Sequence, residues 1–180
     1  MHYGNIKPFS VENGPGIRVS LFVSGCTHRC QGCFSADTWN FQYGQPFTKE
    51  TEKEILSMLA PDYVAGLTLL GGDPTEPVNQ RALLPLLRSV KEHFSQKDVW
   101  VYTGYVYEDF LQGGRAECEI TKEFLSLCDV MVDGPFIQEK RNLMLSYRGS
   151  ENQRIIDLRE TEKSGQVKEL CFAQNVRQRQ

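Results

Sequence analysis

The sequence predicts an α/β protein, built as a partial (β/α) barrel or an open, mostly parallel sheet of that type. Short Val-, Ile- and Leu-rich runs alternate with longer segments of helical period, the order that covers a parallel sheet with helices. Glycine, alone or in Gly-Gly and Gly-Pro pairs, follows most of the short runs and marks the turns where strands end. The chain has 180 residues, whereas a full eight-fold barrel takes about 250.

Taken in order, Gly16 to Gly25 (GIRVSLFVSG) reads as a buried first strand entered through the turn Asn13-Gly14-Pro15-Gly16. Thr48 is expected to cap a helix through TKETEKEILSMLA, since its hydroxyl can accept from backbone amides and acidic residues follow in the first turn. Leu67 to Leu70 is a strand ending in Gly71-Gly72, and Val78 to Phe94 is a helix carrying Leu83, Leu84, Leu87 and Val90 on one side. Asp98 to Thr103 and Asp129 to Asp133 are strands closed by Gly104 and by Gly134-Pro135, with a helix at Thr121 to Leu127 between them. Gln153 to Leu158 is the last expected strand. From Arg159 to Gln180 the chain is polar with few large apolar residues, so a flexible tail is expected there, leaving one domain over 1–158.

Apolar residues make up 40% of the chain and charged residues 24%, ordinary for a globular domain. A net charge of -3 offers no basic footprint for nucleic acid or an anionic membrane. No apolar run approaches the roughly 20 residues of a membrane span. MHYGNIKPFS lacks the basic start and apolar stretch of a signal peptide. A cytoplasmic protein with neither nucleic acid nor membrane as partner is expected.

Of six cysteines, Cys26, Cys30 and Cys33 crowd into GCTHRCQGCF, while Cys118, Cys128 and Cys171 are scattered. A secreted disulfide framework spreads its cysteines, so the tight group points to metal or redox chemistry. A [4Fe-4S] cluster usually takes four thiolates. Three from one loop would leave one iron open to a small molecule with an amine and a carboxylate. Spacing alone also admits a zinc site completed by His28 or a distant cysteine. His28 otherwise reads as an exposed loop residue.

Cys26-x-x-x-Cys30-x-x-Cys33 after a strand resembles the motif of radical S-adenosylmethionine (SAM) enzymes. NGPGIRVSLFVSGC (Asn13 to Cys26), CQGCF (Cys30 to Phe34), GQPFTKE (Gly44 to Glu50), GGDP (Gly71 to Pro74), YTGY (Tyr102 to Tyr105), VDGPF (Val132 to Phe136) and RGSENQ (Arg148 to Gln153) are similar to one branch of them. That branch comprises the glycyl-radical activating enzymes of anaerobic ribonucleoside-triphosphate reductase. The resemblance runs from about residue 3 to residue 158. It implies a [4Fe-4S] cluster on Cys26, Cys30 and Cys33 and SAM on the open iron. It further implies reductive cleavage of SAM to methionine and a 5′-deoxyadenosyl radical, which takes hydrogen from a glycine of the partner reductase. An electron donor such as flavodoxin would feed the cluster, and no catalytic side chain beyond the cluster ligands is implied. The competing readings are an activator of another glycyl radical enzyme such as pyruvate formate-lyase, a carboxy-deazaguanine synthase, or a non-catalytic iron–sulfur electron carrier. The carrier needs a fourth cysteine at fixed spacing, and none follows Cys33 before Cys118. The combination of GGDP, YTGY and RGSENQ speaks against the other enzymes.

The resemblance also assigns cofactor-binding positions. Gly71 and Gly72 let backbone approach SAM closely, with Gly72 toward its amino group. Asp73 orients that turn; Leu70 stands where relatives often carry Ser. Gly32, Cys33 and Phe34 offer backbone to adenine, although Phe34 could instead be core. Asp133 corresponds to an aspartate that helps hold a monovalent cation in a related activator, but the second aspartate of that site falls near Tyr102. Arg18, a charge in an apolar strand, needs a carboxylate partner or faces the reductase. Trp39 and Trp100 read as core.

Overall fold

The computed structural model describes residues 1–172. In chain order these form β1 (His2–Ser10), β2 (Ile17–Val23), β3 (Gln45–Pro46), α1 (Lys49–Leu59), β4 (Val64–Gly71), α2 (Pro77–His93), β5 (Asp98–Tyr102), α3 (Thr121–Ser126), β6 (Val130–Asp133), β7 (Arg154–Asp157) and α4 (Leu158–Ser164). The strands make one open sheet in the order β3-β1-β2-β4-β5-β6-β7. Its four central strands, β2, β4, β5 and β6, are parallel. Antiparallel strands flank them, β1 and β3 on one side and β7 on the other. The expected open, mostly parallel α/β sheet is thus present, with antiparallel margins.

Strand alternation sorts the side chains onto two faces. Val19, Leu21 and Val23 of β2, Leu67 and Leu69 of β4, Val99 and Val101 of β5 and Met131 of β6 are fully buried. They share one core with Ile55 and Leu59 of α1, Leu83, Leu87 and Val90 of α2, Phe124 of α3 and Leu158 of α4. The intervening positions point to the opposite face, where Trp100, Val130, Val132 and Ile155 form a smaller cluster with Tyr102, Tyr147, Leu170 and Phe172. The helices start where the sequence provides caps. Thr48 and Thr51 accept reciprocally from each other's backbone amides at 3.3 Å. Pro77 opens α2, where a missing amide costs nothing.

Two expectations differ from the structure. The strand from Gly16 is the second, because His2–Ser10 pairs with it as a hairpin partner. The other concerns the tail. Leu158 and Thr161 of α4 are buried, Asp157 caps it by accepting from the Glu160 amide at 2.9 Å, and Gly165 ends it at φ 66°. Beyond it, Lys168 and Leu170 bond back to β7 through the Asp157 amide (2.8 Å) and the Ile155 carbonyl (2.7 Å). A polar composition from Arg159 onward therefore conceals a short helix with one buried side, and the flexible tail expected there is ordered through Phe172. The remainder of that segment, 173–180, lies outside the described residues. Among the described residues, no helix is long and apolar enough to cross a membrane.

Candidate active site

The carboxyl ends of the parallel strands meet at one rim, where open α/β sheets gather ligands. The chain leaves β2 there and turns into the cysteine loop. Gly25 stands at φ 99°, and a Cβ on it would press 2.2 Å from the Phe41 ring. Its amide donates to the Thr38 carbonyl at 2.7 Å. Glu76, buried just before α2, accepts from both the backbone amide (2.7 Å) and hydroxyl (2.6 Å) of Thr27. A tight turn follows, with the Cys33 amide donating to the Cys30 carbonyl at 3.2 Å.

Asp73 ties this loop to the neighbouring strand ends. It is 1% exposed. One oxygen accepts from the Thr75 amide (2.9 Å) and hydroxyl (2.6 Å). The other accepts from the Thr103 hydroxyl (3.1 Å) and the Gly104 amide (2.9 Å). His28 Nε2 approaches that second oxygen to 3.2 Å, off the direction of a hydrogen bond, and its ring stands edge-on to Tyr105 at 4.2 Å. The Asp73 amide itself donates to the Gly25 carbonyl at 2.8 Å. One carboxylate thus joins the ends of β4 and β5 and faces the cysteine loop.

Cys26, Cys30 and Cys33 line a single cavity of about 370 Å³ together with Gly71, Gly72, Asp73 and Phe34. That is the size of a small-molecule site. Gly71 has φ 106°, and a Cβ on Gly72 would lie 2.6 Å from the Gly25 carbonyl oxygen, next to Cys26. Both glycines therefore let the β4 turn and the cysteine loop lie against each other. Burial, and then the charge of Asp73, push the Cys26 thiol up to about 12. Burial also raises Cys30, offset in part by the Phe136 amide. Loading a metal here must therefore displace thiol protons. Among the described residues no three His, Cys, Asp or Glu side chains are gathered so as to hold one metal ion.

The remaining sequence candidates fall differently. Gly32 is exposed and outside the cavity lining; its φ of 73° serves the turn, where a Cβ would meet the Gln138 side chain at 2.2 Å. Phe34 is 73% exposed, so it is not core. Its ring lies at the cavity mouth, 5.9 Å from Phe136 and with the Arg141 guanidinium 5.1 Å away. Asp133 is fully buried and is not among the residues lining the cavity, although its neighbour Gly134 is. The cause is strand parity: Asp133 shares the helix-facing side of β6 with Met131. Its carboxylate accepts from the Arg154 guanidinium and, at 2.8 Å, from the Tyr107 amide. Tyr102 lines the cavity but gives its hydroxyl to the Tyr147 carbonyl at 2.8 Å.

Arg18 is fully buried and has found its carboxylate, Asp98 at 2.7 Å, so it does not face a partner. It also donates to Thr68 (2.7 Å) and the Leu67 carbonyl (3.0 Å) and lies over Trp100. Trp100 is core at 1% exposure; Trp39 is half-buried and lines the cavity, its indole Nε1 buried without a partner. Sequence reasoning missed His28, Asn13, Phe136, Gly149 and Gln153 as lining residues. For Asn13, Phe136, Gly149 and Gln153 the signal was present, since each sits inside a quoted motif. Gln153 holds its turn by accepting from the Gly149 and Ser150 amides and donating to the Gly134 carbonyl.

Three thiols on one loop, a glycine turn facing them and the partnerless Trp39 indole Nε1 fit an iron–sulfur group with a small polar ligand beside it. Fold and site thus define an open-sheet iron–sulfur protein, and residues 12–156 match the model of the 4Fe-4S single cluster domain. The chain is 44% identical over 155 residues to the anaerobic ribonucleoside-triphosphate reductase-activating protein of enterobacteria phage T4, covering 86% of this chain and 93% of that one. It is 41% identical over 157 residues to the protein of that name from Vibrio cholerae, covering 86% and 97%. With that of Escherichia coli (strain K12) it shares 38% over 161 residues, covering 88% and 100%. The chain belongs to the family of anaerobic ribonucleoside-triphosphate reductase-activating proteins.

Proposed function

We propose that this protein is a cytoplasmic radical SAM activase that installs the glycyl radical on anaerobic ribonucleoside-triphosphate reductase. The observation that carries the reading is the single cavity lined by all three cysteines and by the Gly71-Gly72-Asp73 turn. Membership of the activating-protein family supports the choice of partner. A bound [4Fe-4S] cluster, reduced by a donor such as flavodoxin, supplies the electron that cleaves SAM and so starts hydrogen abstraction from the partner's glycine. The chain's own residues hold and orient. Cys26, Cys30 and Cys33 would hold the cluster. Gly71 and Gly72 let the β4 turn lie against the cysteine loop and would offer backbone to the ligand's polar end, and Asp73 fixes the turn that bears them. Phe34 and Phe136 form an apolar mouth that restricts water. No side chain here is asked to transfer a proton.

The test mixes anaerobically reconstituted protein, SAM, a low-potential reductant and the reductase. A glycyl-radical doublet should appear on the reductase by electron paramagnetic resonance, with methionine and 5′-deoxyadenosine released. A doublet on pyruvate formate-lyase and none on the reductase would transfer the assignment to another activator. SAM left uncleaved under these conditions would remove the enzymatic reading altogether.

A further inference from the structure

The segment beyond β7 lies outside the residues matched by the family model, which ends at 156. It nevertheless reaches the face of the sheet opposite the helices. Leu170 bonds to Ile155, and Phe172 then packs 5.2 Å from Tyr147 and 5.8 Å from Trp100. Trp100 and Tyr147 are themselves 5.6 Å apart, so the three rings close a triangle of edge-on and tilted contacts. Tyr147 is one of two described non-glycine residues with positive φ, at 58°. A β-carbon makes that conformation unfavourable, so it persists only where neighbours over-determine it. Two contacts do so here: the aromatic triangle on its ring, and the Tyr102 hydroxyl donating to its carbonyl at 2.8 Å. Both structures attached to Tyr147 belong to the cavity. Tyr102 lines it directly, and the chain runs from Tyr147 through Arg148 to Gly149, another lining residue.

We infer that Phe172 is a positioning residue for the cavity: wedged against Trp100 and Tyr147, it holds Tyr147 in its left-handed conformation and thereby sets both Tyr102 and the Arg148–Gly149 turn in the cavity wall. The C-terminal segment is thus a clasp acting from the far side of the wall, without touching a ligand. The inference rests on the proposed use of the cavity for SAM only in its second readout.

The experiment uses the full chain with Phe172→Ala and Phe172→Tyr, compared by amide hydrogen exchange over residues 145–150 and by SAM affinity after anaerobic reconstitution. Phe172→Ala should speed exchange at 147–150 while iron and sulfide per chain stay unchanged. It should weaken SAM binding by about three- to tenfold, the effect of one lost edge-to-face contact. Phe172→Tyr, which keeps the ring, should restore both to within about twofold of the parent. Phe172→Leu serves the same purpose if the alanine variant is poorly folded: it keeps the bulk and should still show the faster exchange. Unchanged exchange in both the alanine and leucine variants overturns the inference. So does faster exchange with unaltered SAM affinity. If the parent protein itself fails to bind SAM, the functional reading falls, and the exchange data alone still decide whether Phe172 holds the wall.

Discussion

The two faces of the sheet are built from the same strands and the same alternation, yet they are made of different material. Toward the helices, Val19, Leu21, Leu67, Leu69, Val99, Val101 and Met131 are aliphatic or Met and wholly buried. On the opposite face the adjacent positions are Arg18, Ser20, Thr68, Trp100 and Tyr102, whose polar atoms have particular partners: Arg18 with Thr68 across strands, Trp100 with Asp98 in its own strand, and Ser20 and Tyr102 with Asn13 and Tyr147 of the loops. One face stabilises by area removed from water, which is non-directional and tolerant of exchange among apolar residues. The other is held by particular partners, and losing one leaves another polar group stranded. The site borders the second kind of face, so its geometry is specified by residues that cannot be swapped freely.

Substitutions on the two sides should separate. Cys30→Ala, at the rim, should abolish the intact cluster, read as iron and sulfide content, with the fold retained. Cys128→Ala, buried on the helix side, should keep the full cluster. Retention of a normal [4Fe-4S] spectrum in Cys30→Ala would sink the cavity as cluster site. Leu69→Ala should lower unfolding free energy by about 2–5 kcal/mol, measured by urea denaturation, without changing the iron bound per folded molecule. Arg18→Met should cost about 3 kcal/mol, near the lower end for breaking a buried pair because Asp98 keeps 40% exposure. A negligible loss there would mean that the face opposite the helices tolerates apolar replacement as the helix face does.

Asp73→Ala removes the carboxylate that joins two strand ends and faces the cysteine loop. Activation of the partner should fall roughly ten- to a hundredfold, as when a metal site loses outer support, and the unfolding midpoint should fall as well, because the buried Thr75 and Thr103 hydroxyls and the Thr75 and Gly104 amides lose their acceptor. The smallest effect belongs to Glu108, whose carboxyl the Arg154 guanidinium holds below its ordinary range. The folded state therefore prefers the anion. Its stabilisation is full above the ordinary glutamate range and disappears as pH falls through the folded value. With Glu108 about half exposed, Glu108→Gln should flatten the acid limb of stability by under about 1 kcal/mol. A steeper acid limb in the variant would contradict that sign.

The central strands and long helices were legible because their apolar residues keep one period and glycines punctuate them. The N-terminal hairpin strand was not: HYGNIKPFS carries a glycine, a proline and mostly half-exposed positions, so pairing with β2 rather than composition makes it a strand. Helix α4 escaped notice because only Leu158 and Thr161 of LRETEKS are buried. At the site, cysteine spacing and the Gly-Gly turn identify their neighbourhood from sequence alone. Asp133 could not be placed that way, since one step of strand parity decides whether its carboxylate meets the cavity or Arg154. His28 also needed the fold, because its neighbours Asp73 and Tyr105 are remote in sequence.

Arg18 imposes an order of events on the growing chain. Its hydrogen-bond partners Thr68 and Asp98 lie 50 and 80 positions further on. A chain emerging from its N-terminus therefore carries an unpaired guanidinium in an otherwise apolar strand until the third parallel strand is made. Closing such distant contacts precedes any reward from them, which is why parallel sheets assemble slowly. Early collapse around β2 alone would trap a bare cation among valines. The same arginine that rivets the finished sheet thus discourages premature burial of its first parallel strand, and commits that strand only when β4 and β5 are both present to receive it.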